Sequence, residues 1–263
     1  MTLETMNLQC LTAEQVERYR RDGFLILRSV FSPAEAAELS VEADGLLERH
    51  RGLIDKKNLR CRFQSHHASG ESLFETFDPV IDIAPVCQRI AHDVRILDVL
   101  ADLYGEPACL FKDKLIFKPP GAQGYVLHQD FIAWDGFPRS FVTVLVPIDA
   151  ADAENGCTEV FPGHHLAGPL TPEDGQFHEL PVDAVDVSKS VKLELAPGDI
   201  AIFGGFTPHR SAPNGSPNPR RQLYLSYNAF SDGGGQRERH YLDFHAYLRR
   251  KYRDRGVTDL HFH

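Results

Sequence analysis

The chain has 263 residues, of which 42% are hydrophobic and 25% charged, with 28 Lys and Arg against 37 Asp and Glu and a formal charge of −9. This composition excludes a disordered or collagen-like chain, and one domain of this length buries roughly three quarters of its unfolded surface, enough to fold without disulfides. The acidic balance argues against a general nucleic-acid binder, which carries a basic face, although a local pocket can still be cationic. No run of about 18 apolar residues is present, so no membrane span is expected. Residues 1–16 lack a basic-then-apolar signal pattern, and the expected location is cytoplasmic. Cys10, Cys61, Cys87, Cys109 and Cys157 are odd in number and scattered. They read as buried free thiols, not a disulfide framework or zinc knuckle.

The first part of the chain predicts helices. Thr12 and Gln15 form a capping-box pattern for a helix that stops at Gly23. Residues 24–27 are a short apolar run that predicts a strand. Ser32, Pro33 and Glu35 open a second helix running to about residue 51. Two more are expected over 84–91 and from Asp93 to Gly105. After Gly105 the pattern changes to short β-rich runs at 108–117, 141–147, 158–161, 191–194, 199–203 and 222–230, the spacing of a β-sandwich or barrel. A last helix is expected over 241–253. The whole reads as one domain over 1–263: a helical part to about 105, a β core over about 106–232 and a C-terminal helix within about 240–253. His261 and His263 are expected to be an unstructured tail.

The segment from Tyr125 to Phe131 (YVLHQDF) carries the most chemistry. His128 and Asp130 are two apart, so on an extended strand both side chains leave one face. A third ligand from a distant strand would complete a two-histidine, one-carboxylate set with three open positions, the arrangement that oxygen chemistry at ferrous iron requires. His209 follows a glycine-rich turn and offers that ligand. Ser211 shares its face and can offer a hydroxyl. Arg220, on the next strand, can fork onto the carboxylate of a cosubstrate bound at the metal. A zinc hydrolase could use the same ligands but would need a general base near its water. A non-catalytic binding protein of the same fold is the other open class.

Several motifs in order resemble the phytanoyl-CoA dioxygenase-like family of Fe(II)/2-oxoglutarate oxygenases. They are the opening Tyr19, Asp22, Gly23 and Phe24, then Lys114 to Gly121 (KLIFKPPG), then His128 and Asp130. Glu154 to His165 (ENGCTEVFPGHH) follows, and then His209, Ser211 and Arg220. The resemblance covers nearly the whole chain. It implies a mainly β fold with flanking helices: a double-stranded β-helix (jelly roll, cupin-like) core behind N-terminal helices. It implies that His128, Asp130 and His209 hold Fe(II), and that Arg220 with Ser211 holds the distal carboxylate of 2-oxoglutarate. Lys114, Tyr125, Gln129 and Thr143 stand at positions that face the cosubstrate in relatives. The implied reaction consumes O2 and decarboxylates 2-oxoglutarate to succinate and CO2 while hydroxylating an unactivated C–H bond, with ascorbate as reductant. Halogenases of this kind lack the carboxylate ligand, so Asp130 favours hydroxylation. His164, before His165, departs from the Ser or Thr common in relatives.

The substrate is expected to be a small, polar, anionic molecule such as an organophosphonate or amino-acid-derived acid. Lysines on an inward strand face are costly unless they meet anions; Lys112 and Lys114 share one face with Ile116 and Lys118. Arg60, Arg62 and Gln64 precede the core, and residues 60–72, polar and carrying Gly70, are expected to form a mobile lid. Lys112, Arg62, Gln64, Phe131 and Trp134 are the candidate substrate residues. The alternative is a tailoring oxygenase of secondary metabolism acting on a larger hydrophobic scaffold. The oligomeric state stays open.

Overall fold

The computed structural model describes residues 8–254 and 256–263. Residues 1–7, which opened the stretch read as lacking a signal pattern, lie outside them. Among the described residues no helix is long and apolar enough to cross a membrane.

Helix α1 (Ala13–Asp22) is capped as its sequence predicts, with Thr12 and Gln15 exchanging hydrogen bonds and Gly23 closing it at φ +81°. Strand β1 (Phe24–Leu27) follows. Helix α2 (Pro33–Arg49) has the reciprocal Ser32–Glu35 box. Strands β2 (Cys61–Ser65) and β3 (Ser72–Phe77) form a hairpin, then come α3 (Pro85–Ala91) and α4 (Val94–Tyr104). The remaining strands are β4 (Ala108–Ile116), β5 (Tyr125–His128), β6 (Val142–Pro147), β7 (Thr158–Val160), β8 (Val191–Lys192), β9 (Ile200–Gly204), β10 (His209–Ser211) and β11 (Gln222–Ala229). Helix α5 (Arg237–Arg253) begins four residues before its expected start.

The strands make two antiparallel sheets. One has seven strands in the order β1-β9-β6-β11-β4-β3-β2, and the other has four in the order β5-β10-β7-β8. This is the jelly-roll arrangement that the motif order implied. The large sheet is covered on both faces, which is why β6 is buried along its whole length and shows no polar alternation. Val142, Val144 and Val146 pack with Leu39, Leu46, Ile96 and Leu100 of the helices. Leu145 faces the other way, into the space between the sheets, with Val160, Ala201 and Phe203. The same alternation turns Leu223 and Leu225 of β11 to the helices and leaves Tyr224 of that strand on the cleft.

Three expectations are corrected. Residues 60–72, expected to be a lid, lie largely in regular structure. They belong to a hairpin that pairs Cys61 with Phe77 and Ser65 with Ser72 and joins the large sheet through Thr76 and Phe77 against Ile116 and Leu115. Arg60 is not at the mouth: its side chain is buried and donates to the Pro79 carbonyl (2.7 Å), Asp82 (3.0 Å) and the His263 carbonyl. That last contact, with Leu59 donating to the His261 carbonyl (2.8 Å), ties down the tail that was expected to be unstructured. All five cysteines are free, but Cys10 is exposed and Cys109 half-buried.

Leu223 is fully buried on the helix-packed face. Leu223→Ala is expected to lower the unfolding free energy by about 2–5 kcal/mol, the range for emptying a core leucine site. Urea denaturation reads this, and an unchanged midpoint would contradict the packing described.

Candidate iron and cosubstrate site

The site lies between the two sheets. β5 and β10 pair so that His128 and His209 are direct partners, with a register shift before Ser211 meets Tyr125. The two imidazole centroids are 4.2 Å apart. The chain leaves β5 at His128, and Asp130 turns in from just beyond it. Its Oδ1 is 3.8 Å from Nε2 of each histidine. One ligand atom from each of the three lies within 4.8 Å of the others, a spacing that a single ion can bridge.

Hydrogen bonds set the tautomers. His128 Nδ1 contacts the Val126 carbonyl at 2.7 Å and His209 Nδ1 the Thr207 carbonyl at 3.0 Å. A carbonyl only accepts, so both Nδ1 atoms carry the hydrogen and both Nε2 lone pairs face the gap. Burial, reinforced by His209, lowers the His128 pKa to about 4, so the imidazole is a neutral ligand at physiological pH. Burial pushes the Asp130 carboxyl upward, but His209, His128, Lys114 and the Thr143 hydroxyl outweigh it and hold it below its ordinary value. Thr143, on the inner face of β6, donates to Asp130 Oδ2 at 3.0 Å. This hydroxyl, expected to face the cosubstrate, is placed to orient a ligand carboxylate.

Beside the three ligands a cleft is walled by Lys114, Tyr125, Ser211 and Tyr224. Behind it lies Arg220, 1% exposed. Its Nη1 donates to the Gly156 carbonyl at 2.6 Å, while its buried Nε has no hydrogen-bond partner among the described residues. A buried guanidinium with an unsatisfied donor and no carboxylate partner fits an incoming carboxylate. Gly156 has to be glycine: its φ is +69°, and a Cβ there would come within 2.2 Å of the Ala212 carbonyl oxygen and 2.8 Å of Lys118 Nζ.

Gln129 borders the open cleft beside the ligands, but its amide is engaged elsewhere. It alternates away from its two neighbours, donating to the Gly168 (3.0 Å) and Phe206 (2.6 Å) carbonyls and accepting from Leu170 N–H (2.7 Å). It therefore pins the loop after β7. His164 and His165 are engaged in that region too, His164 accepting from Asp186 N–H and His165 bonding the Arg20 carbonyl.

The expected substrate residues divide. A second cleft on the open side of the ligands is lined by Gln64, Lys114, Gln123, Val126, Ile132 and Phe177. Gln64 is on this cleft, and Lys114, expected to face the cosubstrate, lines both clefts. Lys112 is not free: its Nζ lies 3.0 Å from Asp78 and 4.2 Å from the Phe244 ring centroid. Arg62 serves the same carboxylate at 3.8 Å and donates to the Leu59 and Cys61 carbonyls. Burial raises the Asp78 carboxyl, yet the charges of Lys112 and Arg62 overcome this and hold its pKa at about 2. Phe131 is core, 7% exposed, against Phe206 and Phe137. Trp134 packs on Phe137 and on His240 of α5 and borders a different cleft.

Lys118, Glu75, Gln123 and Phe177 were not anticipated as site residues. Only Lys118 had a signal, its place in the KLIFKPPG motif. Phe177 stands on the long loop between β7 and β8, with its ring 5.4 Å from that of His128.

Comparisons with known proteins agree with this geometry. Residues 19–222 match the family model described as phytanoyl-CoA dioxygenase (PhyH). The chain is 32% identical over 234 residues to methylphosphonate hydroxylase of Gimesia maris, covering 89% of this chain and 86% of that protein. It is 31% identical to ectoine dioxygenase of Sphingopyxis alaskensis, covering 84% and 77%. Among solved structures, EctD from S. alaskensis with bound Fe superposes with a TM-score of 0.67 at 25% identity, over 86% of this chain and 82% of that one. The epimerase SnoN in complex with Fe3+, alpha-ketoglutarate and nogalamycin RO, at 22% identity and a TM-score of 0.68 over 82% of each chain, shares the fold.

Thr143→Val keeps the shape and removes the hydrogen bond to Asp130. It is expected to weaken Fe(II) binding by about 10-fold or more, the usual cost of losing a partner of a metal ligand. Anaerobic metal titration measures this, and unchanged affinity would leave Thr143 without that role.

Proposed function

Since the chain belongs to the phytanoyl-CoA dioxygenase (PhyH) family, we propose that it hydroxylates a C–H bond of a small anionic molecule of the organophosphonate or amino-acid-derived class. It is an iron- and 2-oxoglutarate-dependent dioxygenase. Iron with 2-oxoglutarate and O2 supplies the oxidising chemistry for C–H hydroxylation. His128, Asp130 and His209 would hold the iron, and Arg220 with Ser211 would hold the distal carboxylate of 2-oxoglutarate, whose decarboxylation would give succinate and CO2. Their place beside the iron orients the cosubstrate before reaction.

The observation that carries the substrate class is Lys114. It lines both clefts, and among the described residues it has no ion-pair partner, only the Tyr224 ring at 5.0 Å. An inward lysine with no salt-bridged carboxylate, only carboxylates such as Asp130 near enough to feel its charge, is stabilised further when a bound anion meets it. Gln64 and Gln123 add hydrogen-bond donors on the same wall, and Ile132 and Phe177 add apolar surface to it. The relatives point the same way: one is a methylphosphonate hydroxylase and another a 2-aminoethylphosphonate dioxygenase, from an uncultured bacterium and 30% identical. A larger hydrophobic scaffold is favoured by one feature, the exposed apolar rim of Phe177 and Val126, 46% and 42% exposed.

The test is succinate formation by Fe(II)-loaded protein with 2-oxoglutarate, O2 and a panel of small phosphonates, amino acids and apolar scaffolds. Stimulation by anions, abolished in Asp130→Ala, is expected; stimulation by apolar scaffolds alone would replace the anionic reading. Lys114→Met is expected to raise the KM for the anionic substrate by about 10-fold or more, the worth of a charge-assisted hydrogen bond. Lys112→Ala behaves differently. It leaves the buried Asp78 carboxylate with only the more distant Arg62 and the Tyr241 hydroxyl and is expected to lower stability by about 2–3 kcal/mol, read as a fall in Tm. A substrate-specific KM effect with unchanged Tm would reverse that assignment.

A further inference from the structure

Lys118 lies just past the end of β4, and its backbone is turned to φ +33°. The Asn214 side chain and the Arg220 N–H both donate to its carbonyl, at 2.9 and 3.1 Å, holding that turn. The side chain is fully buried. Its Nζ donates to the Gly156 carbonyl (2.8 Å), the Ala212 carbonyl (2.6 Å) and Ser211 Oγ (3.1 Å). Three hydrogens meet three acceptors, none of them a carboxylate. Lys118 and Arg220 thus share the Gly156 carbonyl, two buried cations on one oxygen.

Ser211 Oγ also accepts from Tyr125 N–H at 3.2 Å. A hydroxyl has two lone pairs and one hydrogen. With both lone pairs accepting, the hydrogen is left to be donated, and Ser211 lines the cleft.

We propose that Lys118 is a positioning residue for the distal carboxylate of 2-oxoglutarate: it locks the Ser211 hydroxyl as a donor, adds a second positive charge beside Arg220, and takes up a proton when the cosubstrate binds. This rests on the oxygenase reading above. The charged and titratable groups that face Lys118 are Arg220, Glu75 of β3 and Cys157. Burial first, and then Arg220, lowers the ammonium pKa to about 7, against the opposing pull of Glu75 and Cys157. In the cosubstrate-free protein a fraction of Lys118 is therefore neutral above that pH, with one donor fewer. A bound carboxylate favours the charged form. The pKa is raised on binding, so affinity is full below about pH 7 and falls as pH rises through it, by up to about tenfold per pH unit. The carboxylates of 2-oxoglutarate stay ionised over this range, so the proton goes to the protein.

The experiment is anaerobic calorimetric titration of the Fe(II)-loaded protein with 2-oxoglutarate at pH 7 and pH 8, in two buffers of different ionisation enthalpy. Wild type is expected to take up protons and to bind several-fold more weakly at the higher pH. Lys118→Arg carries a fixed charge and is expected to lose the proton uptake and the pH dependence. Lys118→Met is expected to bind iron normally and 2-oxoglutarate at least about tenfold more weakly. Should Lys118→Met fail to fold, wild type and Lys118→Arg decide. Tight binding without proton uptake, or wild-type affinity in Lys118→Met, overturns the role of Lys118 and leaves the oxygenase standing. A wild type that does not bind 2-oxoglutarate at all overturns the oxygenase reading and this inference together.

Discussion

The backbone pairing of β5 with β10 is the constraint on which the site depends. It makes His128 and His209, far apart in sequence, immediate cross-strand neighbours. Ring orientation then follows from local bonds, each imidazole donating to the carbonyl two residues before it. Asp130 needs only the next turn of chain to close the set, and Thr143 reaches it from the opposite sheet. A ligand set built this way is held by strand pairing and main-chain acceptors more than by side-chain packing, which suits a centre that must keep its geometry while small molecules enter and leave.

Behind the ligands the main problem is charge. The chain is acidic overall, yet Lys112 and Lys114 of β4, Lys118 in the turn just beyond it and Arg220 before β11 gather here. Each finds a different solution. Lys112 has Asp78. Lys118 is dispersed over two carbonyls and a hydroxyl. Arg220 keeps an unsatisfied Nε, and Lys114 faces the clefts. The order runs from fully compensated to uncompensated, and the least compensated cations stand nearest the space where anions enter.

This ordering also explains how far the sequence could be read. Caps at Thr12 and Ser32 are local chemistry and were legible, as was the grouping of His128 and Asp130 with His209. What failed needed partners remote in sequence. Lys112 and Arg62 looked available because nothing nearby marks Asp78 as their counter-ion. Residues 60–72 looked irregular because an edge hairpin carries polar residues, and only its pairing with β4 makes it sheet. Gln129 and Phe131 were drawn toward the cleft by the family resemblance and by their nearness to the ligands, whereas alternation from His128 and Asp130 alone turns both of them to the other face. Lys118 was assigned to a strand face that its left-handed backbone has already left.

The alternation along β6, β9 and β11 divides the molecule in a further sense. Residues of one parity hold the sheet to its helices, and those of the other parity face the space between the sheets, part of it apolar core and part of it the site. Mutations on the inner face can alter what the enzyme accepts while the outer face keeps the fold anchored. Such a scaffold can drift between substrates under selection without first losing its stability, because the two requirements are written on opposite sides of the same strands.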